Sequence, residues 1–580
     1  MINVTIDGRP VKVPEGTTIL HAAQSVGVFL PTLCYLKEVN DIGACRVCVV
    51  EVEGYGRLVT SCNTAVKEGM VIHTNSPQAR ETRRVNVELI LSQHDTQCAS
   101  CVRSGNCVLQ TVANDLGIIY NNYKKDVPKG NWNKSFPLIR HESKCIKCMR
   151  CIQYCNNVQN IGVWDSINSG GRTTVGVSGG RSISESDCSL CGQCITHCPV
   201  GALRVRDDTD RVFEALADPD RITVVQIAPA VRVAWGETLG LNREFANVKR
   251  LVAAFRKMGF DYVFDTTFSA DLTIMEEGSE FVRILTGKDK RRRPLFTSCC
   301  PGWVRFVKSH YPDMVDQLST AKSPQQMFGA VAKTYLAELL QVDPSKIFCV
   351  SVMPCVAKKS ECDLPTMRDD NGMPDVDCVL TTREIDRMIK AEHILPTQLE
   401  EEEFDDFAGI GSGAGVIFGA AGGVMEAALR SVYYLITGEN PTVEAFSDVR
   451  GRNGWREATY FIKGDPIRVA VVSGLGNARK LIEALRTGEV QYDFVEVMSC
   501  PGGCAGGGGQ PITPGQEKAL ERGESLYGID RASSLRFSHE NPEVRQMYEY
   551  YSDKPMMERV QHKLHTDHSR WHMPLSPNHK

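Results

Sequence analysis

The chain has no long uncharged apolar run and no excess of one charge. Its longest apolar stretch, from Ala414 to Ile436, contains Glu426 and Arg430, so we expect no membrane span. The formal net charge is −4 over 580 residues, which argues against a nucleic-acid-binding surface. The sequence begins directly in a strand-like run and shows no signal peptide. We therefore expect a cytoplasmic protein of roughly four domains.

Cysteine is too scarce for a disulfide scaffold and too clustered for chance. The 23 cysteines in 580 residues are about 4% of the chain, whereas disulfide scaffolds typically hold ~8–10%. Most of them lie in short-spaced groups. In a reducing compartment, such grouping indicates metal ligands rather than disulfides.

The first group lies in residues 1–77, after two strand-like runs around Asp7-Gly8 and a helix-like run. Four thiolates in one loop-rich domain suit a 2Fe–2S centre, although zinc is an alternative. The uneven spacing and the strand–turn–strand start resemble plant-type ferredoxin. The predicted ligands are Cys34, Cys45, Cys48 and Cys62.

Residues 78–125 form the second predicted domain. Cys98, Cys101 and Cys107 leave a 4Fe–4S cluster one ligand short. His94 stands about one helical turn before Cys98, and we predict that it is the fourth ligand. The alternative is an ordinary surface histidine.

A C-x2-C-x2-C-x3-C run occurs twice in residues 126–208, and Pro199 follows the second copy. This is the bacterial two-cluster ferredoxin arrangement, in which the fourth cysteine of each run ligates the other cluster. The glycine-rich stretch 170–180 between the runs is predicted to be a loop. The predicted ligand sets are Cys145, Cys148, Cys151 and Cys198 for one 4Fe–4S cluster, and Cys155, Cys188, Cys191 and Cys194 for the other.

Residues 209–580 alternate strand-like and helix-like runs, which predicts an α/β domain with parallel sheets. A helix is predicted from Ser323, whose hydroxyl is a candidate N-cap. The predicted strands are 222–227, 262–265, 294–297, 347–352, 378–380, 468–472 and 494–497. Three cysteine segments each follow such a strand, and open α/β sheets build their sites at the carboxyl ends of strands. These segments are Thr297-Ser-Cys-Cys-Pro-Gly-Trp303, Met353-Pro-Cys-Val-Ala-Lys358 and Glu496-Val-Met-Ser-Cys-Pro-Gly-Gly-Cys-Ala-Gly-Gly-Gly508.

Together these three segments resemble the active-site signatures of the FeFe hydrogenases, which make or consume hydrogen. The His94 pattern also occurs in the larger members of that family. The resemblance covers essentially the whole chain. It implies a multidomain α+β and α/β protein, with a β-grasp 2Fe–2S domain, a His/Cys cluster domain, a two-4Fe–4S ferredoxin domain and a catalytic α/β domain with two parallel sheets.

The resemblance further implies an H-cluster, a 4Fe–4S cubane joined to a two-iron unit with carbon monoxide, cyanide and azadithiolate. Cys504 matches the bridging thiolate, and Cys300, Cys355 and Cys500 match the other cubane ligands. On the residues alone, one more plain cubane is the alternative. Lys358 would donate to a cyanide. The other residues implied to line the pocket are Pro229, Ala230, Gln325, Met353, Phe418 and Met498, with Ala230 standing where several members have a hydrogen-bonding serine.

The resemblance also implies a proton path from solvent through Glu280, Ser319 and Glu277 to Cys299. The outermost arginine of the family's path is replaced by Ile284, with Arg283 one place earlier. Without the resemblance, two glutamates three residues apart are usually solvated side chains of one helix face.

The implied activity is the reversible reduction of protons to hydrogen, with electrons from ferredoxin. The alternatives are the catalytic subunit of an NAD(P)-linked bifurcating complex and a hydrogen sensor without turnover. Gly474-Leu-Gly476 lacks the third glycine of the dinucleotide fingerprint, so nicotinamide chemistry would require a flavin- or NAD(P)-binding partner subunit. Maturation proteins would supply the two-iron unit.

Several remaining features are predicted to be structural. The basic run 288–293 is predicted to be a solvated loop, with a docking site for an acidic partner as the alternative. Cys349, Cys362 and Cys378 are predicted to be packing residues. The C-terminal histidines are predicted to lie in a surface tail. They are His562, His565, His568, His572 and His579.

Overall fold

The structure is a computed structural model that describes residues 1–451, 454–552 and 562–575. Its contacts divide the chain into two units. The first comprises residues 1–158, 162–183 and 193–204, and the second comprises 159–161, 184–192 and 205–580. The bounds of the four predicted domains stay predictions. His579 lies outside the described residues.

The first unit opens with a mixed five-stranded sheet in the order β2-β1-β5-β3-β4. Its strands are β1 Ile2–Ile6, β2 Arg9–Val13, β3 Val49–Val52, β4 Val59–Thr60 and β5 Val71–His73. The β1–β2 turn falls at Asp7 and Gly8, which both have positive φ, as the sequence there predicts. Helix α1 (Ile19–Ser25) begins where the Thr18 hydroxyl accepts from the His21 amide. The core of this part contains Ile6, Ile19 and Ile72.

The rest of the first unit consists of short elements around the cysteine groups. They are α2 Pro77–Ser92, α3 Val108–Asp115, β6 Leu138–Arg140, α4 Arg150–Gln153, β7 Trp164–Ile167, β8 Thr174–Val177, α5 Gln193–Thr196 and β9 Leu203–Val205. Strands β7 and β8 pair antiparallel. The prediction that residues 170–180 form a loop is therefore wrong for the residues of β8. Val175 and Val177 are buried there, and that burial stabilises a strand despite the surrounding glycines.

The second unit contains two four-stranded sheets, in the orders β11-β10-β13-β14 and β12-β17-β16-β15. All pairs are parallel except β15–β16, an antiparallel hairpin. Edge strand β15 was not predicted from the sequence. Its side chains mostly alternate between exposed and half-buried positions. The strands are β10 Ile222–Ile227, β11 Tyr262–Asp265, β12 Leu295–Phe296, β13 Ile347–Met353, β14 Cys378–Thr381, β15 Trp455–Ile462, β16 Asp465–Ser473 and β17 Phe494–Met498.

Helices surround these sheets, as the α/β prediction requires. They are α6 Thr209–Leu216, α7 Val248–Lys257, α8 Thr266–Leu285, α9 Pro301–His310, α10 Pro324–Val331, α11 Ala337–Leu340, α12 Ala357–Glu361, α13 Thr382–Ala391, α14 Gly413–Ile417, α15 Gly423–Thr437, α16 Leu475–Thr487, α17 Ala519–Ala532 and α18 Pro542–Ser552. Ser323 precedes α10, but its hydroxyl donates to Glu361 rather than capping the helix. Among the described helices, none has the length and apolarity needed to cross a bilayer.

The C-terminal segment 562–575 is not the surface tail that the sequence predicts. His568 is buried and its Nε2 lies 2.9 Å from the carbonyl oxygen of Ser319. His565 forms a bridge with Ala321, and the Lys322 amide donates to the Leu564 carbonyl at 2.8 Å. The segment therefore packs beside the start of α10. The apolar residues Leu564, Trp571 and Met573 of this segment are buried, and they were the available signal in the sequence.

Candidate active site

Four thiols meet where strands of both sheets in the second unit end. Cys300 follows β12, Cys355 follows β13 and Cys500 follows β17, while Cys504 lies in the turn Gly503–Gly506. Burial raises the pKa of the Cys355 thiol well above its usual value, and the charges of the other three thiols raise it further. Charges raise the pKa of a thiol in this way only when they lie near it, so the four sulfurs are close together. A set of buried thiols of this kind suits an iron–sulfur body, which binds thiolates.

The glycines after Cys504 let two backbone segments approach each other. A Cβ on Gly507 would lie 2.2 Å from the Pro354 carbonyl oxygen, and one on Gly508 would lie 2.5 Å from that of Cys191. The nearest atoms to both glycines are protein backbone, so the glycines fix the loop that carries Cys504 against the loop that carries Cys355.

Ser499 touches two of the four sulfurs and was missed by the sequence analysis. Its amide donates to Cys300 Sγ at 3.4 Å, and its hydroxyl lies 3.3 Å from the same sulfur. The hydroxyl is 3.9 Å from Cys500 Sγ. Hydrogen bonds to cluster sulfurs are among the factors that set reduction potential. The only available signal was its position next to Cys500.

Lys358 is a buried cation beside the thiols. Its Nζ donates to the Cys299 carbonyl oxygen at 3.1 Å and lies 2.9 Å from Glu361 Oε2. Burial lowers the pKa of Lys358, but the charges of Glu361, Cys355 and Cys299 outweigh it and the net pKa is raised. Lys358 therefore stays protonated and can donate to an anionic ligand.

Glu361 anchors this cation and was also missed. Besides Lys358, its Oε2 accepts from Ser323 Oγ at 2.9 Å and from Gln325 Nε2 at 3.1 Å. Its place three residues after Lys358 on α12 was the available signal. The neighbouring Lys359 is not a surface lysine either, because it is fully buried and pairs with Asp208 and Glu384.

The residues predicted to line the pocket are all buried. Met353 ends β13, Met498 ends β17 and Phe418 follows α14. Pro229 and Ala230 follow β10, and the Ala230 carbonyl accepts from Gln510 Nε2 at 2.8 Å. The Ala230 side chain has no polar atom, so the hydrogen bond that a serine would offer at this position is missing.

A line of titratable groups leads away from Cys299. Burial raises the pKa of Cys299 well above its usual value, and the charge of Glu277 is the second cause. Burial, followed by the charge of Glu280, raises the pKa of Glu277 to about 8, although Ser319 and the Ser298 amide oppose this shift. The Ser319 hydroxyl donates to Glu280 Oε2 at 2.6 Å. Ser319 therefore lies between the two carboxyls of α8.

An arginine, Arg291, lies at the outer end of this line. Its Nη2 lies 2.6 Å from Glu280 Oε1 and 2.7 Å from Asp289 Oδ2. Ile284 is buried and Arg283 is exposed. The prediction that 288–293 is only a solvated loop is therefore wrong at Arg291. Sequence reasoning missed it because the arginine comes from the loop after α8, not from the helix.

In the first unit, the four predicted 2Fe–2S ligands form two interacting pairs. A hydrogen bond from Cys34 lowers the pKa of Cys45 to about 6, and one from Cys62 lowers that of Cys48 to about 7. Charges couple the two pairs as well, since Cys48 contributes to the raised pKa of Cys34. The structure thus brings these four thiols together.

The predicted ligands Cys145, Cys148, Cys151 and Cys198 all line one cavity. After burial, the charges of the other three raise the pKa of Cys151 well above its usual value. For the second set, Cys155 and Cys194 belong to the first unit and Cys188 and Cys191 to the second, so their cluster stays a prediction. Within the second unit, the Cys191 carbonyl accepts from Cys500 Sγ at 3.6 Å.

Of the predicted ligands His94, Cys98, Cys101 and Cys107, the structure shows only some to be close to one another. Cys101 and Cys107 interact, and Arg103 is buried next to both. Burial lowers the pKa of His94 to about 4, and its buried Nδ1 has no partner among the described residues. It is thus neutral, as a metal ligand must be. No described group of three or more ligand side chains is arranged to hold a single metal ion.

Comparison with known proteins decides the family. The profile "Iron only hydrogenase large subunit, C-terminal domain" matches residues 221–508. The NADP-reducing hydrogenase subunit HndD of Solidesulfovibrio fructosivorans is 46% identical, over 98% of this chain and 98% of its own length. The chain belongs to the iron-only (FeFe) hydrogenases. Iron hydrogenase 1 of Clostridium pasteurianum is 39% identical over 97% of this chain and 99% of its own length.

The other family profiles follow the cysteine groups. They match a 2Fe–2S cluster binding domain at 1–77, the iron–sulfur region of an NADH-ubiquinone oxidoreductase subunit at 83–121, a 4Fe–4S dicluster domain at 144–202 and an iron hydrogenase small subunit at 516–571. A solved structure of an apo FeFe hydrogenase HydA1 variant from Chlamydomonas reinhardtii shares 40% identity at a TM-score of 0.57. The match covers 63% of this chain and 99% of the HydA1 chain. The hydrogenase is therefore an oxidoreductase with 2Fe–2S and 4Fe–4S domains and a catalytic fold that bears an H-cluster.

Proposed function

We propose that this hydrogenase reversibly reduces protons to hydrogen at a group held by Cys300, Cys355, Cys500 and Cys504. The observation that carries the proposal is the place of Cys299. It is a protonated thiol next to ligand Cys300, at the inner end of the line Glu277–Ser319–Glu280. A plain electron-transfer cluster needs no such line, whereas hydrogen chemistry needs a proton at a buried metal.

The donor set fits the H-cluster that the family carries. Four buried thiols supply the sulfur ligands, with Cys504 the proposed bridge, and Lys358 supplies a charge-assisted donor for a cyanide. Met353, Met498 and Phe418 supply an apolar wall that excludes water. When bound, the cluster supplies the redox chemistry and the site for hydrogen. The protein binds it, orients it and moves protons.

Proton movement is assigned to this chain's own side chains. Glu277, whose pKa of about 8 allows it to change protonation near neutral pH, exchanges a proton with the Cys299 thiol. The Ser319 hydroxyl passes protons between Glu277 and Glu280 by rotating from one carboxyl to the other. Arg291 pairs with Glu280 and so holds the outer carboxyl in place.

Electrons arrive through the iron–sulfur clusters of the N-terminal domains. We propose the ligand sets predicted above for these clusters, with His94 completing the second group. The contact between the Cys191 carbonyl and Cys500 gives electrons a short route to the four-thiol site. The two-iron unit is supplied by maturation proteins.

The electron donor is proposed to be a partner subunit rather than ferredoxin alone. The similar HndD protein is named a subunit of an NADP-reducing hydrogenase. The helix after Gly474 offers no dinucleotide site, because the Leu475 amide at its N-terminus already donates to Gln159 at 2.9 Å. Co-purification from native cells of a flavin subunit that lets NADPH drive hydrogen evolution supports this proposal. Full activity with reduced ferredoxin and no co-purifying subunit supports the ferredoxin-linked alternative.

The hydrogen chemistry itself is tested with Cys299→Ala. We expect hydrogen evolution to fall by ~100-fold or more, because proton transfer by a positioned side chain typically contributes that much. Iron content and the infrared bands of bound carbonyl and cyanide should persist. Cys362→Ala is the matched control, since Cys362 is also a buried thiol but lies outside the site. Full activity of the Cys299→Ala protein contradicts the proton-transfer role.

A further inference from the structure

Glu280 needs a partner that reaches water. Its side chain is fully buried, with 0% exposure. Two half-buried side chains connect it to solvent. Arg291 contacts it directly and is 23% exposed, and His565 reaches it through Thr320 and is also 23% exposed.

Arg291 can hold Glu280 but cannot exchange protons with it. Burial lowers the pKa of this guanidinium, but its bonds to Asp289 and Glu280 outweigh burial, and the net pKa is raised above its usual value. A guanidinium in a protein does not release its proton at ordinary pH. The proton must therefore pass by the other connection.

His565 has the geometry of a relay. Its Nδ1 lies 2.9 Å from Thr320 Oγ1, and that hydroxyl donates to Glu280 Oε1 at 2.9 Å. Its Nε2 lies 3.0 Å from Glu276 Oε2. The two ring nitrogens thus face the Thr320 hydroxyl on one side and the Glu276 carboxylate on the other, and the ring itself is the more exposed member of the His565–Glu276 pair. Histidine is also the side chain that normally titrates near neutral pH.

We propose that His565 carries protons between solvent and Glu280, with Thr320 as the bridge and Glu276 as the carboxylate that orients the imidazole. This inference rests on the proposed proton path to Cys299. In the inward step, the Nδ1–H bond of the imidazolium breaks and its proton goes to Thr320 Oγ1. The Thr320 O–H proton goes to Glu280 at the same time. The products are a neutral imidazole and a protonated carboxyl, so charge and protons balance without any redox partner.

The position of His565 is fixed by the surrounding structure. The bridge to Ala321 and the bond from Lys322 to Leu564 hold its backbone beside Thr320. The Tyr548 hydroxyl donates to the other oxygen of Glu276, which orients that carboxylate toward the imidazole. Burial and the charge of Glu276 raise the pKa of Tyr548 well above its usual value, so it stays neutral.

The charged groups around His565 come from several elements. Glu276 and Glu280 lie on α8, Tyr548 on α18 and Arg291 on the loop after α8. On the remaining side, Lys322 pairs with Asp375, which also feels the charge of Lys563. His568 on the same segment binds the Ser319 carbonyl and has a lowered pKa because it is buried.

The test compares His565→Gln and His565→Ala with His572→Gln, an exposed histidine of the same segment. In the full matured protein, we expect both His565 variants to lose about tenfold in hydrogen evolution and to lose a titrating limb from the pH profile. Imidazole in the buffer should restore the rate of His565→Ala. Pyrazole, which has the same shape but stays unprotonated near neutral pH, should not. Arg291→Gln should show no rescue by imidazole.

A second readout does not depend on turnover. In protein that lacks the two-iron unit, the infrared carbonyl stretch of protonated buried carboxyls is titrated with pH. We expect this titration to differ between His565→Gln and the native protein, because His565 is linked to Glu280 through the Thr320 hydroxyl. The inference is overturned if either the pH profile or the carboxyl titration of His565→Gln matches that of His572→Gln.

The two proposals fail in distinguishable ways. If Cys299→Ala is fully active, the proton path itself is wrong. If Cys299→Ala is inactive but His565→Gln behaves as His572→Gln does, the path stands and only the role of His565 is rejected.

Discussion

The thiol groups of the two units differ in the charged residues around them. In the first unit, the cations next to the sulfurs are arginines, with Arg103 near Cys101, Cys107 and Cys198, and Arg150 near Cys148. In the second unit, the four thiols adjoin groups that can gain or lose protons, among them Glu277 and Cys299. Arginine neutralises charge without releasing protons. The first environment therefore suits electron transfer alone, and the second suits electron transfer coupled to protons.

The largest expected effect comes from removing one thiol of the second unit. Cys355→Ala should abolish hydrogen evolution and remove the infrared bands of carbonyl and cyanide, because a ligand of the four-thiol site is lost. The paramagnetic signals of the N-terminal clusters should remain. Infrared and electron paramagnetic resonance spectra of the same sample measure both.

Cys148→Ala is the matched variant in the first unit. It should remove one 4Fe–4S cluster and slow turnover with the natural electron donor about tenfold or more, while leaving the carbonyl and cyanide bands intact. If it also abolished those bands, the contrast between the two thiol environments would be lost.

Lys358→Met should have the next largest effect, because it leaves Glu361 buried without its cation. Breaking a buried ion pair in this way typically costs about 3–5 kcal/mol. The double variant Lys358→Met with Glu361→Gln should regain most of that stability but not the activity, since the donor toward the cluster is still missing. Thermal unfolding and hydrogen evolution are measured for the native protein, the single variant and the double variant. The first measurement reports the contribution of Lys358 to stability, and the second reports its contribution to activity. Equal recovery of both in the double variant contradicts a role for Lys358 at the cluster.

The smallest predicted effect is a pH dependence of stability. The pKa of Glu277 is about 8 in the folded protein, against a usual value of 4.5. Between these two pH values, Glu277 binds a proton in the folded state but not in the unfolded state. The stabilisation from this proton is therefore complete below about pH 4.5 and is lost as the pH rises through about 8. Glu277→Gln should flatten the fall in Tm between pH 6 and pH 9. A Tm that falls as steeply in this variant as in the native protein contradicts the raised pKa of Glu277.

Local sequence patterns predicted most of the fold. All seven predicted strands of the second unit are present, because parallel strands buried on both faces form short apolar runs. The four-thiol site was predictable for the same reason, since each cysteine segment directly follows such a strand. Edge strand β15 was missed because its half-exposed side chains give a weak pattern.

The outer proton groups were beyond what local patterns can show. Arg291 lies 11 residues after Glu280 on a loop, and Thr320 and His565 are 245 residues apart in sequence. Their contacts depend on where the loop and the C-terminal segment pack. A basic run and a group of histidines near the C-terminus are by themselves typical of solvated surface, so no local pattern indicated the roles of Arg291 and His565.

The most direct test of the central claim is the infrared spectrum of the matured protein. We predict bands of iron-bound carbonyl and cyanide in the native protein and in Cys299→Ala, with hydrogen evolution only in the former. A protein that contains the iron of its N-terminal clusters and has been exposed to the maturation proteins, yet shows no carbonyl or cyanide bands, would contradict the assignment of the four-thiol site.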